Sequence, residues 1–352
     1  GFTQFGGWKG ESHGGFIPTC ETAAFIIAGN DLSKRFKLLS YFEGDGILIK
    51  NSILTLEHKS SGEPFMSAAV RISSEYLNRL TSGVYQKPDY SMNFPAKLIT
   101  TKLTWDDLIL PMEVREEIEN IITWIKNSKI ILEDWGLDKV IKPGYRSLFY
   151  GPPGTGKTLT ASLIGSIVGA DVYRIDLSMV VSKYIGETEK NLANVFDQAQ
   201  SKNWILFFDE ADALFGKRTQ ASSSNDRYAN QEISYLLQRV EDFPGVVILA
   251  SNIKANIDEA FSRRFQSIVY FPTPDNEHRL LLWKRILGNT QNLSQDISLE
   301  KLADDYELSG GAMTNVIRYG AINSLQMDRA EVCQEDLVEG ITKELQKEGK
   351  TA

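Results

Sequence analysis

The chain has 352 residues, of which 42% are hydrophobic and 24% are charged, a composition typical of a globular protein with two or three domains. Its formal net charge of -8 argues against nucleic acid as the main partner, although it does not exclude a local basic patch. Two distant cysteines cannot form a disulfide framework, and no run of about 18 apolar residues indicates a membrane span, so we expect a cytoplasmic protein.

The first part of the chain, residues 1–98, is predicted to form a small α+β domain. Helices are expected over 21–28, from Asp31 onward and over 73–80, because helical periodicity there is accompanied by capping residues. The runs Ile47–Ile49 and Ile53–Leu56 are short and apolar, as is typical of strands. A stretch that contains Pro and Ser, Lys87–Pro95, is interpreted as a linker.

Residues 99–273 alternate apolar runs with helical patterns, whereas residues 274–352 show helical patterns alone. The alternation predicts a parallel five-stranded sheet with helices on both faces, followed by a separate all-helical lobe. The predicted strands are Arg146–Tyr150, Val172–Ile175, Ile205–Phe208, Val246–Ala250 and Ser267–Phe271.

A glycine-rich segment follows the first of these strands and matches the pattern G-x-x-x-x-G-K-[ST]. Glycines allow backbone N–H groups to surround phosphate oxygens, and the start of the next helix adds partial positive charge. Lys157 is expected to contact the β and γ phosphates of ATP, and the Thr158 hydroxyl to ligate Mg²⁺. The alternative is a chance match in a glycine-rich turn. The predicted nucleotide-binding residues are Pro152, Pro153, Gly154, Thr155, Gly156, Lys157 and Thr158.

Two carboxylates end the third predicted strand. Ligands of open parallel sheets bind at that edge, so Asp209 is predicted to join Thr158 in holding Mg²⁺. Glu210, one residue further, is predicted to polarise the attacking water as a general base. The alternative is an acidic turn without catalytic function.

With these motifs the chain resembles the AAA family of ATPases over roughly residues 104–350. The resemblance implies a P-loop NTPase fold with a helical lid over residues 274–352. The segments that carry it, besides the P-loop, are Phe207–Asp212, Ser182–Leu192 (the central-pore segment), Asn252 (the first sensor), Ile257–Phe265 (the arginine-finger helix) and Ser309–Ala312 (a turn of the lid).

The resemblance also assigns roles to side chains away from the P-loop. Asn252 is expected to hold a water between Glu210 and the γ phosphate, with a capping residue as the alternative. Arg263 and Arg264 are expected to reach the nucleotide of a neighbouring subunit, which requires a ring; the alternative is solvated surface charge.

The lid and the pore segment complete the predicted sites. Gly311 and Ala312 are expected to lie beside the nucleotide, although Ala312 occupies the place where some relatives carry a sensing arginine. The pore residues predicted to grip a peptide substrate are Lys183, Tyr184 and Ile185, and the alternative for the tyrosine is packing under the next helix.

The whole chain, including Pro18–Ala23, looks most like AAA ATPases encoded with bacterial contractile injection systems. We therefore expect a homo-hexamer in the bacterial cytoplasm that uses ATP and Mg²⁺ to remodel a protein client, which residues 1–98 would recruit. The alternatives are a nucleic-acid motor or loader, which the net charge disfavours, and a scaffold that assembles on ATP with little turnover.

Overall fold

The structure is a computed structural model in which the chain divides into two units, Gly1–Tyr90 and Ser91–Ala352. Each unit contains its own helices and strands. The described residues are 5–10, 14–43, 46–50, 53–58, 62–83, 87–88, 90, 94–177, 187–212, 234–252, 262–288, 290, 292–347 and 349.

The first unit combines short helices with two antiparallel strand pairs, in keeping with the predicted α+β class. Buried Cys20, Phe42 and Ala68 form its small core. The prediction of a strand at Ile47–Ile49 is wrong, because these residues lie in a short helix that follows closely on the preceding one. The elements are β1 (Trp8–Lys9), β2 (Phe16–Ile17), α1 (Cys20–Ala28), α2 (Leu32–Phe42), α3 (Ile47–Lys50), β3 (Leu54–Glu57), β4 (Ala69–Ile72) and α4 (Ser74–Ser82).

A six-stranded sheet organises the second unit. Five of its strands are parallel, which confirms the predicted fold class, and they run in the order β10-β6-β9-β8-β7. The sixth strand, β5, pairs antiparallel with β7 at the edge and was not predicted, because it is short and directly follows Pro95 in the predicted linker. The strands are β5 (Ala96–Ile99), β6 (Tyr145–Tyr150), β7 (Val172–Asp176), β8 (Ile205–Asp209), β9 (Val246–Ser251) and β10 (Ser267–Tyr270).

Helices cover both faces of this sheet because neighbouring residues of a buried strand point to opposite sides. Phe207 packs into the layer that holds Ile118 and Ile164, whereas Phe208 packs into the layer that holds Phe196 and Leu236. Both layers are apolar, so the sheet is buried on both faces. The helices are α5 (Met112–Lys129), α6 (Lys157–Val168), α7 (Glu187–Lys202) and α8 (234–242).

Four further helices form the lid, which has a core of its own around the fully buried Trp283, Met313 and Ile341. Side-chain caps on Asp275, Ser298 and Ser309 begin three of them. Within the described parts of the chain, no helix combines the length and the apolarity needed to cross a membrane. The lid helices are α9 (Asn276–Leu287), α10 (Leu299–Asp305), α11 (Gly310–Gln326) and α12 (Gln334–Lys347).

Candidate functional site

A cavity of about 500 Å³ lies between the carboxyl edge of the sheet and the lid. Its size is within the usual range for a small-molecule site, and its place is the one that ligands of parallel sheets occupy. Residues of four groups line it: the P-loop and α6, the ends of β8 and β9, the segment before α5, and the lid. They include Gly154, Lys157, Thr158, Asp209, Glu210, Asn252, Asp107, Leu108, Ile109, His278, Leu282, Gly310 and Gly311.

The P-loop needs glycine at two crowded turns. Gly151 has a φ of 148°, and a Cβ there would lie 2.1 Å from the Phe271 carbonyl oxygen. Gly154 has a φ of 76°, and a Cβ there would lie 2.4 Å from the Ser309 hydroxyl oxygen. Both positions combine left-handed backbone with close neighbours, so any side chain would displace the loop.

Lys157 begins α6 and is buried beneath the P-loop. Its Nζ donates hydrogen bonds to the carbonyl oxygens of Gly151 (2.6 Å) and Pro152 (2.9 Å). Burial lowers the pKa of Lys157, while the carboxylates of Asp209 and Asp212 oppose that shift. Because its hydrogen-bond acceptors here are neutral carbonyls, the ammonium charge is well placed to attract a phosphate.

The acidic pair lies at the carboxyl end of β8, as predicted: Asp209 is the last residue of the strand and Glu210 begins the turn after it. Asp209 accepts a hydrogen bond from the backbone N–H of Glu210 (3.0 Å) and forms an ion pair with Arg174 Nε (3.2 Å). Glu210 is exposed and has a φ of 52°, a left-handed conformation that is uncommon for a residue with a Cβ. The Ala211 N–H donates to the Ala250 carbonyl (2.8 Å) and ties this turn to β9.

Asn252 comes just after β9 and lines the cavity, as Glu210 does. A residue that the sequence analysis did not assign to the site, Asp212, holds this strand end. Its carboxylate accepts hydrogen bonds from the Ser251 hydroxyl and from the Asn252 backbone N–H (3.4 Å). The ends of β8 and β9 are thereby joined through one carboxylate.

The lid touches the P-loop through the first turn of α11. The Gly311 N–H donates to the Gly154 carbonyl (3.0 Å), and the Ser309 hydroxyl caps the helix by accepting from the Ala312 N–H (3.3 Å). Gly311 lines the cavity, whereas Ala312 is buried in the core of the lid. The structure therefore separates these two predicted nucleotide contacts.

Sequence reasoning missed the segment before α5, which forms an apolar wall of the cavity. Asp107 anchors this segment. Its carboxylate accepts hydrogen bonds from the Thr104 backbone N–H (2.7 Å) and the Thr104 hydroxyl (2.8 Å), and it forms an ion pair with Arg285 Nε of the lid (2.6 Å). These hydrogen bonds lower the pKa of Asp107, and the one from the Thr104 backbone N–H has the largest effect. The sequence signal that could have predicted this wall is the apolar run Leu108–Pro111, which ends in a proline.

Arg263 and Arg264 are the central residues of a turn closed by the Phe265 N–H and the Ser262 carbonyl (3.2 Å). Both side chains are exposed, and neither is among the residues that line the cavity of this chain. The pore residues Lys183, Tyr184 and Ile185 lie outside the described residues.

Residues 147–273 match the family model for AAA, the ATPase family associated with various cellular activities. The chain contains an AAA ATPase domain. The matched range runs from within β6 to just after β10 and so includes the P-loop, the acidic pair, Asn252 and the arginine turn. The family predicted from the sequence motifs is confirmed at the level of this domain.

Curated relatives match this chain over longer stretches than the family model does. The chain is 32% identical over 238 residues to a proteasome-activating nucleotidase of Methanopyrus kandleri, covering 65% of this chain and 52% of that one. It is 30% identical over 244 residues to vacuolar protein sorting-associated protein 4 of Dictyostelium discoideum, covering 68% and 53%. A third relative, ATPase family gene 2 protein of Schizosaccharomyces pombe, is 35% identical over 191 residues, covering 53% and 24%. The chain thus spans about half the length, or less, of these relatives.

The residues of the AAA site fit a nucleoside triphosphate with Mg²⁺. The buried Lys157 and the crowded glycine turns suit phosphates, and Thr158 and Asp209 both line the cavity as candidate Mg²⁺ ligands. Among the described residues, no group of three or more His, Cys, Asp or Glu side chains could hold a metal. The oxygens of Thr158 and Asp209 suit Mg²⁺, which typically binds through one or two protein oxygens together with substrate phosphates.

Proposed function

We propose that this AAA chain hydrolyses ATP in a ring of identical subunits, a homo-hexamer, and uses the released free energy to remodel or unfold a protein. The observation that carries the proposal is the convergence of Lys157, Glu210 and Asn252 on one cavity closed by the lid. A buried cation, a carboxylate and an amide are the groups that phosphoryl transfer to water requires.

Each group has a separate task. Lys157 and the P-loop N–H groups hold the phosphates, and Thr158 and Asp209 would hold Mg²⁺, which would supply positive charge to the phosphate oxygens. Glu210 accepts the proton of the attacking water, and Asn252 orients that water. The hydrogen bond from Gly311 to Gly154 joins the P-loop to the lid, so a change at the phosphates reaches α11.

The arginine turn, residues 262–265, supports the proposed ring. Arg263 and Arg264 do not line the cavity of their own chain, and we propose that this turn lies at the nucleotide of a neighbouring subunit. There a guanidinium would stabilise the charge that develops on the transferred phosphate.

The names of two relatives support a protein as the client. One relative is named for activating the proteasome and another for vacuolar protein sorting. We propose that Lys183, Tyr184 and Ile185 grip the client in the central pore and that the first unit recruits it. The resemblance of the whole chain to ATPases of contractile injection systems makes a sheath, tube or cargo protein of such a system the proposed client.

The decisive experiment uses Glu210→Gln, which should retain ATP but lower its turnover by about 100-fold or more, because the general base is lost. The purified variant, loaded with ATP and Mg²⁺, should capture a protein client from its native lysate, identified by mass spectrometry. The matched control is Lys157→Met, which should capture none because it holds no nucleotide. Wild-type turnover by Glu210→Gln would overturn the catalytic assignment, and parent protein that assembles without turnover would instead identify a scaffold.

A further inference from the structure

Two kinds of residue line the cavity between the sheet and the lid. One kind is charged or polar and suits phosphates and a metal, as described above. The other kind is aliphatic and comes from two separate segments, which we call the pre-α5 wall (Leu108 and Ile109) and the α9 wall (Leu282 and Ile286). A purine base is flat and largely apolar, so these two walls are the part of the cavity that suits the base of a nucleotide.

The α9 wall is one face of the first lid helix. His278, Leu282 and Ile286 follow one another at intervals of four residues, and all three line the cavity, as expected for one side of a helix. Arg285 precedes Ile286 and does not line the cavity. Its Nε instead lies 2.6 Å from Asp107 Oδ1, next to the pre-α5 wall. The ion pair therefore joins the two walls directly.

Asp107 is well suited to hold this joint because its two carboxylate oxygens have separate partners. Oδ2 accepts from the backbone N–H and the hydroxyl of Thr104, which fastens the carboxylate to its own segment, while Oδ1 faces Arg285. The next residue, Leu108, is buried, and a Cβ on Gly156 would lie 3.8 Å from its Cδ1. The pre-α5 wall is thus seated beside the P-loop.

The lid is attached to the sheet domain at two places. The hydrogen bond from the Gly311 N–H to the Gly154 carbonyl (3.0 Å) fixes the lid beside the P-loop. A single attachment of this kind leaves a rigid body free to pivot. The pair of Asp107 and Arg285 supplies a second attachment at the aliphatic walls, and two attachments together fix the separation between those walls.

We infer that Asp107 and Arg285 are positioning residues for the nucleotide base: their ion pair sets the separation of the pre-α5 wall and the α9 wall, and with it the fit of the base. The inference rests on the proposed nucleotide site and adds to it a pair that acts on base affinity without acting on the phosphates. A ligand that has phosphates but no base should therefore not respond to the loss of the pair.

Ligands with and without a base test the inference. Calorimetric titrations of the full-length chain compare ADP with inorganic pyrophosphate, both with Mg²⁺ at about 0.15 M salt, where exposed charges more than about 8 Å apart are largely screened. Arg285→Gln should weaken ADP binding by roughly two- to fivefold, because a half-exposed ion pair contributes modestly. Its affinity for pyrophosphate should equal that of the parent. A parent protein that binds ADP no more tightly than pyrophosphate would contradict the inference, since the base would then contribute no affinity.

A reversed charge should enlarge the effect. Arg285→Glu should weaken ADP binding by about tenfold or more, because two carboxylates then repel each other across the walls. The matched control is Lys284→Glu, which makes the same change in charge at the adjacent residue, whose ion pair with Glu300 (3.7 Å) lies within the lid. This control should bind ADP like the parent. The inference fails if Arg285→Glu binds ADP as tightly as the control does, or if it loses affinity for pyrophosphate as strongly as for ADP.

A second substitution separates the pair from a general defect of folding. Asp107→Asn keeps an oxygen that accepts from Thr104 but removes the charge that repels the introduced carboxylate. The double variant Asp107→Asn/Arg285→Glu should therefore bind ADP several-fold more tightly than Arg285→Glu alone, and equal or weaker binding would overturn the inference. Should the Arg285→Glu protein not fold, Arg285→Gln with the two ligands decides the question. Parent protein that binds neither ADP nor pyrophosphate would instead defeat the proposed function, which keeps the two failures distinguishable.

Discussion

At the scale of single residues, Glu210 has a strained backbone conformation that no sequence motif predicts. Its left-handed φ of 52° costs backbone free energy, which the surrounding structure offsets through the hydrogen bonds of Asp209 and Ala211. Strained residues of this kind concentrate at functional sites. The strain agrees with a functional role for Glu210 at the edge of the cavity.

Lys157 supports the first prediction at this scale. With ATP and Mg²⁺ at about 100 times the dissociation constant, the free energy of unfolding of the parent domain should rise by about 2.7 kcal/mol. Lys157→Met should show no such increase, because the phosphates lose their buried cation. Its melting temperature without nucleotide should change little, because relief of the solvation cost of a buried charge offsets the loss of the two hydrogen bonds from Lys157 Nζ. Thermal melts with and without nucleotide measure both quantities, and nucleotide stabilisation of the variant would contradict the assigned role.

A buried carboxylate in the lid supports a second residue-scale prediction. Burial would raise the pKa of Asp336, but hydrogen bonds from the backbone and thiol of Cys333, from Asn323 and from Arg329 outweigh it and hold the pKa below its usual value. A pKa that is lower in the folded state stabilises the lid above the unfolded value of about 4, and this contribution is lost as the pH falls through the folded pKa.

Asp336→Asn should therefore lower the free energy of unfolding at pH 7 by about 1–3 kcal/mol, the usual result of removing one partner from buried hydrogen bonds. The same substitution should reduce the acid sensitivity of unfolding below about pH 4. Denaturant melts across pH measure both effects. Glu300→Gln, which alters an exposed ion pair with Lys284, is the matched control and should behave like the parent. An Asp336→Asn protein as stable as the parent would contradict a stabilising role for the hydrogen bonds of Asp336.

At the scale of elements, the contact between α11 and the P-loop can be tested with neighbouring glycines. A Cβ on Gly311 would lie 3.0 Å from the Gly154 Cα, tighter than most packing contacts, whereas a Cβ on Gly310 would have its nearest neighbour at 3.8 Å. Gly311→Ala should weaken ATP binding several-fold by pushing the lid from the P-loop, and Gly310→Ala should bind ATP like the parent. Titration with a fluorescent ATP analogue measures the difference, and equal affinities would show that this contact does not support nucleotide binding.

The elements also show where sequence patterns were sufficient. The five parallel strands were predicted because buried strands read as continuous apolar runs, such as Val246–Ala250. Strand β5 and helix α3 were not predicted, and the physical reason is the same for both. Each has only four residues, and in segments this short tertiary contacts outweigh local preference. The isoleucines of α3 favour a strand locally, yet they form a helical turn after Gly46.

At the scale of the whole molecule, the ring makes a prediction about mixtures. Glu210→Gln and Arg263→Gln proteins should each hydrolyse ATP slowly when pure. Mixed in one ring, an Arg263→Gln subunit keeps its own Glu210 and receives Arg263 from a Glu210→Gln neighbour. The mixture should therefore regain a substantial part of the parent rate, with a maximum near equal amounts. Steady-state ATPase assays across mixing ratios measure it, and rates that never exceed the average of the pure proteins would argue against sites shared between subunits.

The sequence by itself determined the chemistry of this protein: the P-loop pattern, the paired carboxylates and the alternating strands predict the AAA domain and its nucleotide site, because these depend on local spacing and on residue type. The tertiary structure alone decided which distant residues share a contact. It brought Asp107 to Arg285, Gly311 to Gly154 and Glu241 to Arg264, and it buried Ala312 in the lid. Such pairings arise from the packing of whole elements against one another, and residue spacing along the chain carries no record of them.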